Sequence, residues 1–174
     1  MAIFGNNAGE ENKKVILTFR WKYVGLPFTI LLLIILLAGI FYPQLSNEVA
    51  YRFNLNGSPE NWASRQIVLL LTILPQVVLF MTAIAITWGT LKAGRSIGQI
   101  ASALKPERLL MLMGNLIVLP QIIFGFVMLD VFVYNVASNH IMPIWLFALI
   151  IMIAGGIFLT IFFFKAFKRT RNIN

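Results

Sequence analysis

The sequence contains no cysteine and only one histidine, His140. The absence of cysteine excludes disulfides, thiol catalysis, a lipid-modified cysteine and cysteine-based metal sites. A lone histidine beside a predicted loop is expected to be a solvated interfacial side chain, and a proton-sensing role is the alternative. We therefore expect no metal site and no cofactor.

Charged residues are also scarce, at 11% of the chain against 59% hydrophobic residues. This balance departs from that of soluble globular proteins. A helix needs about 20 apolar residues to cross a bilayer core of about 30 Å. Four segments meet this requirement, at about residues 23–42, 66–90, 109–134 and 143–164. They predict an all-α integral membrane protein with four transmembrane helices, forming a single membrane domain over residues 1–174.

The first apolar segment is expected to be a retained anchor. It is longer than the apolar core of a secretory signal, and the following FYPQLSNE has no obvious small-x-small cleavage site. Because it carries no charge after Lys22, we expect it to be a plain helix that faces lipid.

Acidic residues number only six against fourteen basic ones, which gives a net charge of +8. The basic residues are unevenly distributed, and positively charged loops face the cytoplasm. The pattern predicts that both termini and the loop at 91–108 are cytoplasmic and that the loop at 43–65 is extracytoplasmic. It also predicts contact with anionic lipid headgroups and requires no nucleic acid. Twelve of the fourteen basic residues lie in the three predicted cytoplasmic segments: Lys13, Lys14, Arg20 and Lys22; Lys92, Arg95, Lys105 and Arg108; Lys165, Lys168, Arg169 and Arg171.

The cytoplasmic loop contains Ile97, Ile100, Ala101 and Leu104 at spacings of three and four. This spacing predicts either a short amphipathic helix on the inner leaflet or an extension of the second span. Pro106 is expected to end that helix, and Glu107 suits the start of the next one.

Catalytic patterns are not recognisable in the sequence. We find no nucleophile and base arrangement, no phosphate-binding glycine loop and no set of metal ligands. The protein is therefore not expected to be an enzyme.

The second and third spans share a Leu-Pro-Gln motif that includes Gln76 and Gln121. At 1.5 Å per residue, these glutamines lie about 15 Å and 18 Å from opposite membrane faces and so near the midplane. Pro75 and Pro120 are expected to kink the helices and to free backbone carbonyls. The glutamines form either a polar node that marks a cavity or pathway, or a packing contact.

Two further polar residues lie in the third span. Asn115 is expected in its inner third, and Asp130 near its outer end is the only acidic residue inside a predicted span. Its expected partner is Arg52 or Arg65 in the outer loop, and an unpaired interfacial carboxylate is the alternative.

The fourth span contains Gly155 and Gly156, with Thr160 four residues after Gly156. Small residues on one face allow close helix approach, either within the molecule or in a dimer. The sequence leaves the oligomeric state open.

The outer loop at 43–65 is expected to have a fixed shape. AYRFNL predicts a short strand, LNGSP predicts a turn around Gly57, and SPENWAS predicts a helix start with Ser58 as its N-cap. Phe53 and Trp62 are expected to dip into the interface. This leaves Arg52, Asn54 and Asn56 for water or a ligand.

The passage RFNLNGSPENWASR with the following QIVLLLTILP resembles a family of small bacterial membrane proteins of unknown function, which includes the immunity proteins against the sporulation-delaying toxin. Arg52 stands where that family usually has histidine, and Asn47 where it often has proline. The resemblance implies a polytopic cell-membrane protein that, in some relatives, protects against a peptide toxin or relays its presence. The residues that match are Phe53, Asn54, Gly57, Pro59, Trp62, Ser64, Arg65 and Pro75.

Three functions follow as hypotheses. The first is a binding, immunity or sensing protein that meets a peptide or membrane-protein partner through Arg52, Phe53, Asn54, Asn56, Gly57, Trp62 and Arg65. The second is an accessory or scaffold subunit of a membrane complex. The third is a small transporter with a water-filled pathway lined by Gln76, Asn115, Gln121 and Asp130.

Overall fold

The computed structural model describes residues 18–54, 56–94 and 106–171. The predicted amphipathic helix at 97–104 lies outside these residues. Within them, the chain forms five α-helices, one antiparallel β-hairpin and two short 3₁₀ turns, Trp21–Tyr23 and Tyr42–Gln44. The elements are α1 (Gly25–Phe41), β1 (Glu48–Phe53), β2 (Pro59–Ser64), α2 (Arg65–Gly94), α3 (Pro106–Asn115), α4 (Val118–Ala137) and α5 (Ile144–Arg171).

Four helical segments in the described part of the chain are long and apolar enough to cross a membrane, judged by length and composition. They correspond to the four predicted spans, and they indicate a multi-pass membrane protein. Their bounds are Gly25–Gln44, Arg65–Lys92, Leu110–Ala137 and Ile144–Ile161.

The third of these segments consists of two helices, because α3 ends at Asn115 and α4 begins at Val118. Pro120 accounts for the break, since it has no N–H to donate to the carbonyl of Leu116 and its ring clashes with that carbonyl. The next amide, that of Gln121, donates to the carbonyl of Ile117 at 3.1 Å. Pro75 has a different outcome, because it lies inside α2 without interrupting it.

The prediction that the first span is a plain anchor facing lipid is wrong. One face of α1 is buried, with Pro27, Leu31, Ile34 and Ala38 at spacings of four, three and four residues. This face packs on α2 and α4. The opposite face, with Leu32 and Leu36 more than half exposed, remains available to lipid.

The all-α prediction is corrected by the β-hairpin that joins α1 to α2. The strand predicted before the turn is confirmed, but the helix predicted to start at Ser58 is wrong. Pro59 opens β2 and pairs with Phe53, at a strand end where its missing N–H costs little. The strand continues to Ser64, and α2 begins at Arg65, whose N–H donates to the carbonyl of Asn47 at 3.1 Å.

The hairpin lies at the end of the bundle where α1 and α4 end and α2 begins, which we call the hairpin end. An apolar core attaches it there, because Val49 of β1 is fully buried among side chains of α1, α2 and α4. The buried members of this core are Ile34, Ala38, Leu45, Val49, Val68, Met128, Val131 and Phe132.

The opposite end of the bundle is closed by a smaller apolar cluster of Val24, Leu31, Phe80 and Ala83. Nearby, Lys22 lies 3.3 Å from the carboxylate of Glu107 in the first turn of α3. This ion pair connects the segment before α1 to α3.

Helix α5 is the most peripheral of the four candidate spans, with only 6% of its apolar window buried. It packs on α4 through the stacked rings of Phe126 and Phe147, whose centres are 3.8 Å apart. A Cβ atom on Gly155 would lie 2.7 Å from Leu119, whereas one on Gly156 would have nothing within 4 Å. Gly155 therefore serves packing inside the molecule.

Candidate functional site

The hairpin is held to the bundle by a polar contact between Asn135 of α4 and Ala50 of β1. The Ala50 N–H donates to Oδ1 of Asn135 at 2.8 Å, and Nδ2 of Asn135 donates to the Ala50 carbonyl, also at 2.8 Å. Ala50 is fully buried. The Asn135 amide therefore supplies both hydrogen bonds that this buried backbone position needs.

A second polar contact joins the turn of the hairpin to the start of the α4–α5 connection. Oδ2 of Asp130 lies 2.7 Å from Nδ1 of His140, and Nε2 of the same ring lies 3.1 Å from the carbonyl oxygen of Gly57. The other carboxylate oxygen, Oδ1, accepts the N–H of Ile141 at 2.8 Å. Asp130 is 1% exposed, so its two oxygen atoms depend on these groups for their hydrogen bonds.

The predicted pairing of Asp130 with an arginine is wrong. Arg52 lies 2.9 Å from the carboxylate of Glu60 on the neighbouring strand. Arg65 lies over the ring of Tyr42, 4.9 Å from its centre. Both arginines are thus engaged elsewhere, whereas His140 follows α4 directly and reaches Asp130.

His140 is likewise not the solvated side chain that the sequence predicted, since its side chain is only 28% exposed. Its ring stacks on Tyr134 with centres 4.6 Å apart, and Phe53 meets it edge-on at 4.7 Å. Phe53 also meets Tyr134 edge-on at 4.6 Å. Phe53 therefore packs on the end of α4 rather than dipping into the interface.

The other predicted hairpin residues remain on its surface. Trp62 of β2 is 55% exposed, and Tyr51 of β1 is 37% exposed. Asn54 and Asn56 both bond to Ser58, Asn56 through its Oδ1 at 2.7 Å from the Ser58 hydroxyl, and they stabilise the turn. Gly57 has a φ of 82°, a conformation that L side chains rarely adopt.

The two glutamines meet inside the bundle, as the shared motif predicted, but their partners are backbone carbonyls. Nε2 of Gln76 donates to the carbonyl of Gln121 at 3.1 Å, and Nε2 of Gln121 donates to the carbonyl of Pro27 at 3.3 Å. Both side chains are fully buried. Among the described residues, neither Oε1 has a hydrogen-bond partner. The node therefore links three helices, α1, α2 and α4.

Asn115 does not join this node. Its Nδ2 donates to the Met111 carbonyl of its own helix at 2.8 Å. It lines an apolar groove of about 590 Å³ between α1, α3, α4 and α5, together with residues such as Leu26, Ile122 and Phe158. The predicted path from Gln76 through Asn115 to Asp130 is not a connected set of contacts in the described part of the molecule.

The contact made by Asn135 and the partners of His140 were not predicted from the sequence. The available signal was weak: both are polar residues within ten positions of Asp130, close to the end of an apolar segment. The described residues contain no group of three or more His, Cys, Asp or Glu side chains that could hold a metal ion.

Residues 29–74 match the sequence family described as a domain of unknown function, DUF1648. The match covers most of α1, the whole hairpin and the first turns of α2. It supports a relationship to a small uncharacterised family and assigns no activity. No curated protein and no solved structure matches the chain.

Proposed function

We propose that this is a cell-membrane binding or sensing protein whose hairpin, residues 48–64, is the recognition surface. One observation carries the proposal: the hairpin is fixed to the bundle through Asn135 and His140 while its outer side chains stay exposed. A two-stranded hairpin alone is only marginally stable in water. A preorganised surface loses less entropy on binding. Anchoring the hairpin to the bundle therefore favours binding through this surface.

The exposed side chains suit recognition. Tyr51, Arg52 and Trp62 belong to the residue types that dominate binding energy at protein interfaces. The resemblance to toxin immunity proteins makes a peptide the expected ligand class. The role is non-catalytic, and the basic segments that the sequence predicts to be cytoplasmic contact anionic headgroups.

The proposal includes a topology in which the hairpin is extracytoplasmic and both termini are cytoplasmic, based on the distribution of basic residues. Because the chain has no cysteine, single cysteines can report on it directly. Asn47→Cys lies beside the hairpin, and Glu107→Cys lies at the opposite end. A membrane-impermeant maleimide should label the first variant in intact cells and the second only after permeabilisation; the reverse pattern would refute the topology.

The recognition role is tested by placing a photoreactive benzoylphenylalanine at Tyr51 or Trp62 in the native host. The matched control is the same probe at Val78, which is 56% exposed on the lipid-facing part of α2. We expect a discrete peptide or protein adduct at the hairpin positions only, and we expect Arg52→Glu to remove it. Lipid adducts alone at both sites would overturn the proposal.

The competing role as an accessory subunit predicts crosslinked adducts at different positions. It is favoured by the exposed face of α5, where Met152 is 66% and Phe158 is 65% exposed. A protein adduct from a probe at Met152, with none at Trp62, would support that role instead.

A further inference from the structure

Both ring nitrogens of His140 face oxygen atoms. Nδ1 lies 2.7 Å from Oδ2 of Asp130, and Nε2 lies 3.1 Å from the carbonyl oxygen of Gly57. A carbonyl oxygen can only accept a hydrogen bond, and so can an ionised carboxylate. A neutral imidazole has a single N–H, so it can satisfy only one of the two contacts.

The two contacts together require two protons on the Asp130–His140 pair. One arrangement is an imidazolium ion beside a carboxylate, with both N–H groups donating. The other is a carboxylic acid whose O–H donates to Nδ1, with Nε2–H donating to Gly57. The proton number is the same in each case. The second carboxylate oxygen, Oδ1, faces neither ring nitrogen and accepts the N–H of Ile141 at 2.8 Å in both arrangements.

Loss of one proton leaves a neutral imidazole and a carboxylate. The remaining proton stays on Nδ1, since the charged acceptor forms the stronger hydrogen bond. The lone pair of Nε2 then faces the lone pairs of the Gly57 oxygen. The ring cannot readily turn away, because it is packed between Tyr134 and Phe53. The hydrogen bond between turn and bundle is therefore lost.

In the part of the chain that the structure describes, few other charged or titratable groups lie near this pair. On α4, the ring of Tyr134 stacks on the imidazole. On the hairpin, Arg52 and Glu60 pair with each other at 2.9 Å. The sequence from Ile141 to Thr160, which leads into α5, contains no charged residue. The exposed 28% of the His140 side chain gives water access to the pair, whereas Asp130 is buried.

We infer that Asp130 and His140 form a proton-binding site that controls the attachment of the hairpin turn to the bundle. With the proton bound, Gly57 is tied to the segment that joins α4 to α5. Without it, the turn is released while Asn135 continues to hold β1 at Ala50. The inference concerns contacts inside the molecule and does not depend on whether the hairpin binds a partner.

Since the form with the Gly57 contact binds one proton more than the released form, a lower pH favours attachment of the turn and a higher pH weakens it. Stability of the hairpin decreases in the same direction.

Asp130→Asn provides a sharp test, because asparagine can satisfy all three contacts without any ionisation. Its Oδ1 can accept the N–H of Ile141, its Nδ2 can donate to Nδ1 of His140, and Nε2–H then donates to Gly57. The variant should therefore keep the hydrogen bond between His140 and Gly57 at high pH. If Asp130 contributed only a buried charge, the same variant would loosen the hairpin at every pH.

The experiment uses the full chain in lipid nanodiscs at several pH values between about 5 and about 9. Hydrogen exchange of the turn amides of Asn54, Gly57 and Ser58 is measured and corrected for the pH dependence of intrinsic exchange. We expect protection in the wild type to fall about tenfold at high pH, as for the loss of one hydrogen bond. We expect it to stay high in Asp130→Asn and low throughout in His140→Phe. Glu107→Gln, an acid-to-amide change at the other end, should behave like the wild type.

A second readout does not need any variant to fold. Because the chain has one histidine, its two ¹⁵N imidazole resonances are assigned without ambiguity. At low pH they should report either a doubly protonated ring or a ring protonated at Nε2, and at high pH a ring protonated at Nδ1. A neutral ring protonated at Nδ1 across the whole range, with unchanged exchange, would overturn the inference.

Discussion

Asn135 of α4 forms two hydrogen bonds with the backbone of Ala50 in β1, donating one and accepting the other, each at 2.8 Å. The two residues are 85 positions apart in the sequence, and the contact joins the hairpin to the third span. It satisfies both polar groups of a backbone position that is fully buried.

Asn135→Ala should therefore destabilise the hairpin. It leaves a buried N–H and a buried C=O without these partners, and each unsatisfied group costs about 1–3 kcal/mol. Thermal unfolding in detergent and protease cleavage between α1 and α2 measure the effect. Asn115→Ala is the matched control, since among the described residues that side chain forms one hydrogen bond, to the Met111 carbonyl of its own helix. Equal behaviour of the two variants would show that the Ala50 contact contributes nothing.

Gly57→Ala is expected to strain the turn. The φ of 82° costs an L side chain about 1–2 kcal/mol. Steric overlap is not the cause, because the added Cβ would lie 3.4 Å from Cδ2 of His140, an ordinary contact. Gly57→Asn should lose less stability than Gly57→Ala, since asparagine tolerates positive φ. Thermal unfolding of the three proteins tests this order, and an alanine variant as stable as the wild type would contradict it.

Gly114→Ala should destabilise the end of the bundle opposite the hairpin. A Cβ there would overlap the backbone carbonyl of Tyr23 and would lie 2.6 Å from Oγ1 of Thr87. Overpacking of this kind costs about 1–3 kcal/mol.

The control for that change is Gly89→Ala in α2, where a Cβ would have nothing within 4 Å. Because alanine is the better helix former by about 1 kcal/mol, this variant should be at least as stable as the wild type. Unfolding temperatures in one detergent compare the pair. If both variants were equally stable, the close approach of α3 to Tyr23 would be refuted.

Gln76→Leu and Gln121→Leu should each change the free energy of unfolding by less than about 1 kcal/mol. Each loses one interhelical hydrogen bond, which averages about 0.6 kcal/mol in membrane proteins. Each also removes a buried Oε1 that lacks a partner among the described residues, and this offsets the loss. Thr82→Val on α2 is the control, since its hydroxyl bonds within its own helix to Val78. A loss well above about 2 kcal/mol in either glutamine variant would show that the node is essential to the fold.

Features that depend on the local sequence were predicted correctly, whereas features that depend on contacts between distant segments were not. The four spans were readable from apolar runs, because the thickness of the bilayer sets helix length directly. The turn at Gly57 was readable because its residues favour it locally. The helix expected after Ser58 failed, since the paired strand β1 supplied hydrogen bonds that a local signal cannot show. Likewise, the buried face of α1 could not be read from a segment that is apolar on every side.

The candidate site shows the same division. The sequence by itself singled out Asp130 as the only acidic residue inside a predicted span, where a carboxylate either meets a partner or reaches the interface. It also placed Gln76 and Gln121 at one depth. Only the tertiary structure decided that His140 rather than Arg52 or Arg65 meets Asp130, and that Asn135 holds Ala50. These pairings depend on how α4 and the hairpin approach each other in space, and such contacts leave no periodic or local signal in the chain.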